Sequence, residues 1–299
     1  YNDRYTTPEI LLQNYYFQHL RNDYTVQLIR ENKLQTITTA GMKYQNVITS
    51  LAIEESMDRN IRIYESAQSG YIALPKFSRF FNPRIIKVLR SKIAEFKAKN
   101  CKNIILDLRY NTGGSGYMFD KLLSLFIDQS AIPYLKSQKL RISPETRADY
   151  DFVTEEMMGH TVRLPDRYTV KTIELDPTWY IGDDMHIYIL MSRNTASIAA
   201  SLCNILQYNC SASLVGEPLC RNALRYGETV TGKTWFSSLL YEASVSTMEY
   251  DEHTRAIDGV LMPDIAIPYV AQDYLTGRDA MLNKLLDIIR EKNEQSFKQ

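Results

Sequence analysis

The sequence lacks any run of apolar residues approaching the roughly 20 needed to span a bilayer, so no membrane-spanning helix is expected in this chain. It also lacks an excess of charge of either sign. Its 35 basic side chains face 35 acidic ones, leaving no global field to recruit nucleic acid or an anionic membrane. None of the four cysteines, Cys101, Cys203, Cys210 and Cys220, belongs to a CxxC pair. That argues against a structural zinc site, and neither a metal nor an organic cofactor is expected. Three of the cysteines fall between positions 203 and 220, which permits a disulfide in an oxidising compartment, with plain buried thiols the favoured reading. Internal repeats and low-complexity stretches are absent. So are an initiator methionine and a signal peptide: the chain opens on YNDRYTTPEI. The expectation is a processed or truncated chain, with residues 1–67 the end of an upstream domain.

What is present is ordinary for a globular protein: 44% apolar and 23% charged residues. The length of 299 residues suits one large domain, or a large one with a smaller companion. Tyrosine is abundant at 21 residues, with Tyr15, Tyr16 and Tyr24 near the N-terminus, and such amphipathic rings are read first as domain packing.

Periodicity outlines the elements. Residues 8–22 read as a short helix opening on Pro8. The segments 25–32 and 33–39 alternate with period two around Glu31 and Asn32, a hairpin signal. A strand is expected over 69–77, and after Pro83 a helix whose Ile85, Ile86, Leu89, Ile93 and Phe96 share one face. A strand over 103–109 and a helix over about 115–127 complete a β-α-β start, which predicts parallel strands covered by helices. Residues 130–182 carry Pro133, Pro144, Pro165 and Pro177 with little regular pattern, and read as an irregular insertion or active-site cover. A buried strand over 185–192 follows, then a helix presenting Ile198, Leu202, Ile205 and Leu206, a strand over 212–216, and two β-prone runs within 233–248. Ala280, Leu282, Leu285, Leu286 and Ile289 mark a closing helix. The class is mixed α/β.

Two stretches carry chemistry. In NIILDLRYNTGGSG (103–116), glycines at a strand-to-helix turn let a ligand or a reacting oxygen approach the backbone. In MSRNTASIAASL (191–202), Ser197 sits at the first turn of a helix, where backbone N–H groups are unpaired and the dipole favours negative charge. An acyl-transfer nucleophile belongs at such a place, because its tetrahedral intermediate bears an oxyanion that needs N–H donors. Serine there is also an ordinary helix cap. Both units lie in one predicted sheet, so both turns should open on the same edge. A nucleotide site fails for want of GxGxxG, of an acidic residue ending the next strand and of a Walker lysine.

The pair of stretches resembles the C-terminal processing (tail-specific) serine peptidases, which include the tricorn protease core. GYIALPKF, ILDLRYNTGG, LMSRNTASIAASL, SLVGEP and DGVLMPDIAIP occur in that family's order and spacing over roughly residues 68–270. The resemblance implies an α/β, crotonase-like core of stacked βαβ units over residues 68–299, with a small N-terminal α+β segment over residues 1–67. It makes Ser197 the nucleophile. Gly114, with Gly113 as neighbour, corresponds to the glycine that donates to the oxyanion, and the N–H of Ile198 to the second donor. Asp107, Arg109 and Asn111 hold the turn in shape. The implied substrate is a polypeptide and the implied location is exported, while assembly into homo-oligomers is left open.

The sequence departs from the family at the base. One branch uses a lysine about 25 residues after the nucleophile, where this chain has Asn222. Arg221 and Arg225 stay protonated and cannot act as bases, and Lys233 is out of register. The tricorn-like branch uses a histidine N-terminal to the core in a GDGHT-like motif, which does not occur here. His186 reads as a core histidine, His253 as part of a polar turn, His160 as part of the insertion and His19 as part of the first helix. The expected base is therefore a histidine upstream of Tyr1, with Glu228 a candidate to orient it or else a surface residue. Ser201 replaces a carboxylate that the family commonly places after the nucleophile. No PDZ-like GLGF loop is present. The leading expectation is a serine endopeptidase, and the alternative is a peptidase-like module that has lost its base and binds peptides or apolar ligands.

Overall fold

The computed structural model describes residues 23–30, 33–40, 60–77, 83–236, 239–270 and 278–296. The expected helix over 8–22, with His19, lies outside them. The chain divides into two compact units, one comprising Arg62–Ile267 and the other Tyr1–Ile61 with Pro268–Gln299.

In the second unit, β1 (Asp23–Arg30) and β2 (Lys33–Ala40) pair antiparallel with Arg30 opposite Lys33, as the period-two alternation predicts. The same unit contains the closing helix, Ala280–Ser296, in which Leu282, Leu285, Leu286 and Ile289 are buried.

The larger unit is built on a six-stranded sheet. Its strands are β3 (Ile61–Tyr64), β4 (Ser69–Ala73), β5 (Asn103–Asp107), β10 (His186–Met191), β11 (Ser213–Gly216) and β14 (Ile265–Ala266), in the spatial order β14-β11-β10-β5-β4-β3. The pairs β4–β5, β5–β10, β10–β11 and β11–β14 are all parallel. A parallel strand covered on both faces needs a continuous apolar run, and every residue of β5 is buried. The connection from β4 to β5 is α1 (Pro83–Ala98), whose Ile85, Ile86, Leu89, Ile93 and Phe96 are all buried, as their spacing predicts. The next helix, α2, is shorter than expected, Phe119–Ser124. Met118 before it adopts φ +68°, a left-handed conformation from which the helix cannot extend backward. From β10 to β11 runs α3 (Ile198–Cys210). Its Leu202, Ile205 and Leu206 face the core, but Ile198, expected on that face, is only half-buried.

Residues 130–182 are more ordered than expected. They contain β6 (Ala131–Pro133), β7 (Leu135–Arg141), β8 (Thr161–Arg163) and β9 (Thr172–Glu174). The pair β6–β9 forms its own ribbon, and β7 and β8 join a four-stranded sheet with β12 (Tyr226–Phe236) and β13 (Leu239–Glu252). Three-residue strands are too short for alternation to register, and the strand that β7 pairs with, β13, lies about 110 positions away (Met248 opposite Leu140). The segment has a small core of its own, in which Leu140, Ile142, Leu164 and Met248 are packed by Tyr150, Phe152 and Tyr168. The cysteines are unpaired, with Cys101 and Cys203 buried. Among the described residues no helix is long and apolar enough to cross a membrane.

Candidate active site

Adjacent parallel strands deliver their following turns to the same edge of a sheet, and the turns after β5 and β10 are laced together there. The Leu108 N–H donates to the Leu190 carbonyl at 2.9 Å. The Thr195 hydroxyl donates to the Leu108 carbonyl at 2.8 Å, and that of Ser192 to the Arg109 carbonyl. Beneath the first turn, Asp107 and Arg109 form a buried ion pair, with the Tyr71 hydroxyl donating to Asp107 Oδ2 at 2.7 Å. Asn111, fully buried, is the junction between segments. Its Nδ2 donates to the Leu74 carbonyl at 2.7 Å, its Oδ1 accepts from the Gly113 N–H at 2.8 Å, and its carbonyl accepts from the Ala196 N–H at 3.1 Å.

Ser197 lies where β10 gives way to α3, with φ +55° and ψ −134°, a costly backbone for a residue with a side chain. It stands at the capping position, yet its hydroxyl makes no capping hydrogen bond and is left exposed. Its own N–H donates to the Ala223 carbonyl at 3.1 Å. Gly113 packs directly on this serine: a Cβ there would lie 2.6 Å from Ser197 Cβ and 3.1 Å from its Oγ.

The other expected residues divide. Gly114 bridges to Phe77, through Phe77 N–H to the Gly113 carbonyl and Ser115 N–H to the Phe77 carbonyl. That pattern leaves its own N–H without an acceptor among the described residues, and the N–H of Ile198 likewise. Gly113, the expected neighbour of that glycine, has its own N–H taken by Asn111 and makes the close approach to Ser197. Glu228 is exposed, and its nearest side-chain partner is the Tyr250 hydroxyl at 3.5 Å; no hydrogen bond joins it to Ser197. His186 is a correction: it opens β10 rather than filling it, is exposed, and sits 2.8 Å from the Ser213 hydroxyl. His253 lies by Tyr208 on α3, with ring centroids 6.5 Å apart, and His160 is exposed in the 142–160 loop. The side chain of Lys233 lies outside those described. No described side chain makes a hydrogen bond with the Ser197 hydroxyl.

A residue the motifs did not point to is Glu252, at the end of β13. Its carboxylate accepts from the Ser201 hydroxyl at 2.6 Å and from Asn204 Nδ2 at 3.1 Å, both on α3. Burial pushes its pKa up to about 7, against the opposing pull of those two hydrogen bonds. No sequence pattern marked it, because the register of β13 shifts between Asp251 and Glu252 and the buried residue is charged. Glu252 also lines a groove of about 390 Å³ with Asn222, Leu224, Arg225, Glu249 and Tyr250. The groove therefore abuts the turn that holds the Ser197 N–H.

The fold and this site define an α/β chain in which the Ser197 hydroxyl and the backbone N–H groups of Gly114 and Ile198 have no hydrogen-bond partner among the described residues. The family model for peptidase family S41 matches residues 68–239, more than half of the chain. The chain belongs to peptidase family S41. Among solved structures it is similar to a candidate peptidase from Parabacteroides merdae, at 17% identity and a TM-score of 0.51, covering 77% of this chain and 63% of that one. It is also similar to mature CPAF, at 16% identity and a TM-score of 0.54, covering 90% of this chain and 53% of that one, and to mature CPAF complexed with lactacystin, at 16% identity, a TM-score of 0.55 and coverages of 91% and 54%. The chain thus spans less than two thirds of the length of each. At such identities the likeness is one of fold.

Proposed function

We propose that this chain is the catalytic core of a serine endopeptidase, crotonase-like in fold and nearest in mechanism to the tricorn-like branch that its motifs resemble. The observation that carries the reading is Ser197 itself, a hydroxyl held out on a strained backbone with no capping bond, against a glycine that a side chain would displace. In this reading Ser197 Oγ attacks the peptide carbonyl carbon and its proton passes to a general base. The oxyanion accepts from the Gly114 and Ile198 N–H groups, which need no reorganisation to receive it. Collapse expels the amine, which takes the proton back from the base, and water hydrolyses the acyl-enzyme. The base is assigned to a histidine N-terminal to this stretch, as the resemblance implies. Export of the protein, like assembly into homo-oligomers, rests on the resemblance alone. A peptide-binding module without activity is the second reading, favoured by the absence of a base at Ser197 among the described residues.

A fluorophosphonate probe tests the assignment. The full-length protein should be labelled on Ser197, and Ser197→Ala should be spared. Equal labelling of both would remove Ser197 as the nucleophile. A full-length protein that binds peptides but takes no label would support the binding module.

A further inference from the structure

The segment 250–259 holds two elements that flank Ser197, the turn that accepts its N–H and the helix that follows it. On one side it anchors the turn whose Ala223 carbonyl accepts the Ser197 N–H: Asn222 N–H donates to the Gly259 carbonyl at 2.8 Å, and Tyr250 N–H to the Arg225 carbonyl at 2.7 Å. On the other side it meets α3 through Glu252 and through the His253 carbonyl, which accepts from Asn204 Nδ2 at 2.7 Å. Ser201 and Asn204 lie four and seven positions after Ser197, so all three share one face of the helix. The Ser201 N–H in turn donates to the Ser197 carbonyl at 3.0 Å. Of these links only Glu252 can gain or lose a proton.

We propose that Glu252 is a positioning residue for Ser197, which as a carboxylate ties the groove segment to the nucleophile helix through Ser201 and Asn204 and on protonation loosens that tie. The proposal rests on Ser197 being the nucleophile. As a carboxylate, Glu252 accepts both hydrogen bonds, and bonds to a charged acceptor are about twice as strong as neutral ones. A proton on Glu252 needs an acceptor of its own. Asn204 turns its amide nitrogen to Glu252, and the bond from that nitrogen to the His253 carbonyl keeps its oxygen away. Ser201 can supply one, by rotating its hydroxyl, but the bond then runs from Glu252 to Ser201 and the charge is gone. One protonation therefore leaves both contacts to α3 as neutral hydrogen bonds, without the strength that the charge gave them.

The surroundings keep this group near its switching point. Tyr134, between β6 and β7, faces it and Ser201, and its phenol is held above the ordinary range by burial and by Glu252. Tyr250 on β13 is raised by burial and by Glu228. From α3 only the neutral Ser201 and Asn204 reach the carboxylate. Asp251 precedes it on β13 and His253 follows it just past the strand's end. The cations that line the same groove, Lys139 and Arg225, are paired with Glu249 at 3.2 and 2.6 Å, and no cation pairs with Glu252 among the described residues. Buried and without a cation, its carboxyl titrates close to neutrality.

The test is the rate of fluorophosphonate labelling of Ser197 against pH, in full-length wild type, Glu252→Gln and Ser201→Ala. Wild type should gain rate as pH rises through about 7 beyond what the general base accounts for. Glu252→Gln should be slower at pH 8 by about tenfold, the equivalent of one charge-assisted bond, and should lack that limb. Ser201→Ala, which keeps the carboxylate but cuts its tie, should lose rate at pH 8 comparably and covers the case in which Glu252→Gln fails to fold. Labelling of Ser197 with the same pH profile in wild type and either variant would overturn the proposal while leaving Ser197 the nucleophile. Loss of serine-specific labelling altogether would instead overturn the peptidase reading beneath it.

Discussion

At the scale of single residues, two glycines decide whether the serine can be presented at all. Gly114 has φ +138°, and a Cβ on it would fall 1.5 Å from the Phe77 carbonyl oxygen, a backbone atom with no rotamer to give way. Gly113 has φ +93° and would push a methyl into the Ala196 carbonyl at 2.8 Å and into Ser197 Cβ. Gly114→Ala should cost stability by about 1–3 kcal/mol for the backbone conformation alone, with more from the clash. Gly113→Ala should fold more readily than Gly114→Ala and still label poorly, since its methyl displaces Ser197 rather than the sheet. Thermal unfolding read beside probe labelling separates the two; equal labelling of Gly113→Ala and wild type would show that the contact does not set the position of Ser197. That Ser197, Gly114 and Ile198 stand at the two turns was legible in the sequence, because motif spacing fixes which residues do so. That the Gly113 N–H is taken was not legible, since it depends on Asn111 turning its side chain forward by two residues.

At the scale of elements, the sheet edge is held by side chains that replace missing backbone ladders. Asn111 takes the place of a strand between the segment after β4 and the turn after β5. Asn111→Ala leaves the Leu74 carbonyl and the Gly113 N–H buried without it, at about 1–3 kcal/mol for each orphaned group, and frees the turn that carries Gly114. Asn111→Asp keeps an acceptor for Gly113 but turns a carboxylate toward the Leu74 carbonyl. Both variants should unfold at lower urea concentration than wild type, and the labelling rate of Asn111→Asp should fall less than that of Asn111→Ala. A labelling rate that drops equally in both would point to the Leu74 bond, not the Gly113 bond, as the one that shapes the turn. Hairpin β1–β2, helix α1, the parallel run β4-β5-β10-β11 and the closing helix could all be read from period alone, since each buries a continuous stripe or alternates across a face. The strands β6 to β9 could not. Their order comes from β13, which arrives long after them in sequence, and from an aromatic cluster whose members have no fixed spacing.

At the scale of the whole molecule, acidic groups act on stability in two opposed directions. Glu249 is held below its ordinary value chiefly by the Arg225 hydrogen bond, and the exposed Asp151, Asp166 and Asp184 by hydrogen bonds to Tyr168, Lys171 and Lys97 respectively. A group whose pKa falls on folding contributes stability above its unfolded value and loses it on acidification. These carboxylates should therefore favour the fold above about pH 4.5, and the contribution should fade below it. Glu252 has the opposite sign. Its pKa rises on folding from 4.5 to about 7, so the folded chain holds a proton that the unfolded chain has released, and stability drains away as pH climbs from about 4.5 through 7. The two sets also differ in their response to salt. The exposed pairs are in water and are screened within a Debye length of about 3 Å at 1 M, whereas Glu252 owes its shift to burial, which salt does not reach. A plot of melting temperature against pH should show an acid limb that flattens in 1 M NaCl and a decline toward pH 8 that does not. Glu252→Gln should abolish only the decline. If the decline persists in that variant, the carboxyl titrating there is another one; if salt erases it, the charge of Glu252 is being set by the surface and not by its burial against α3.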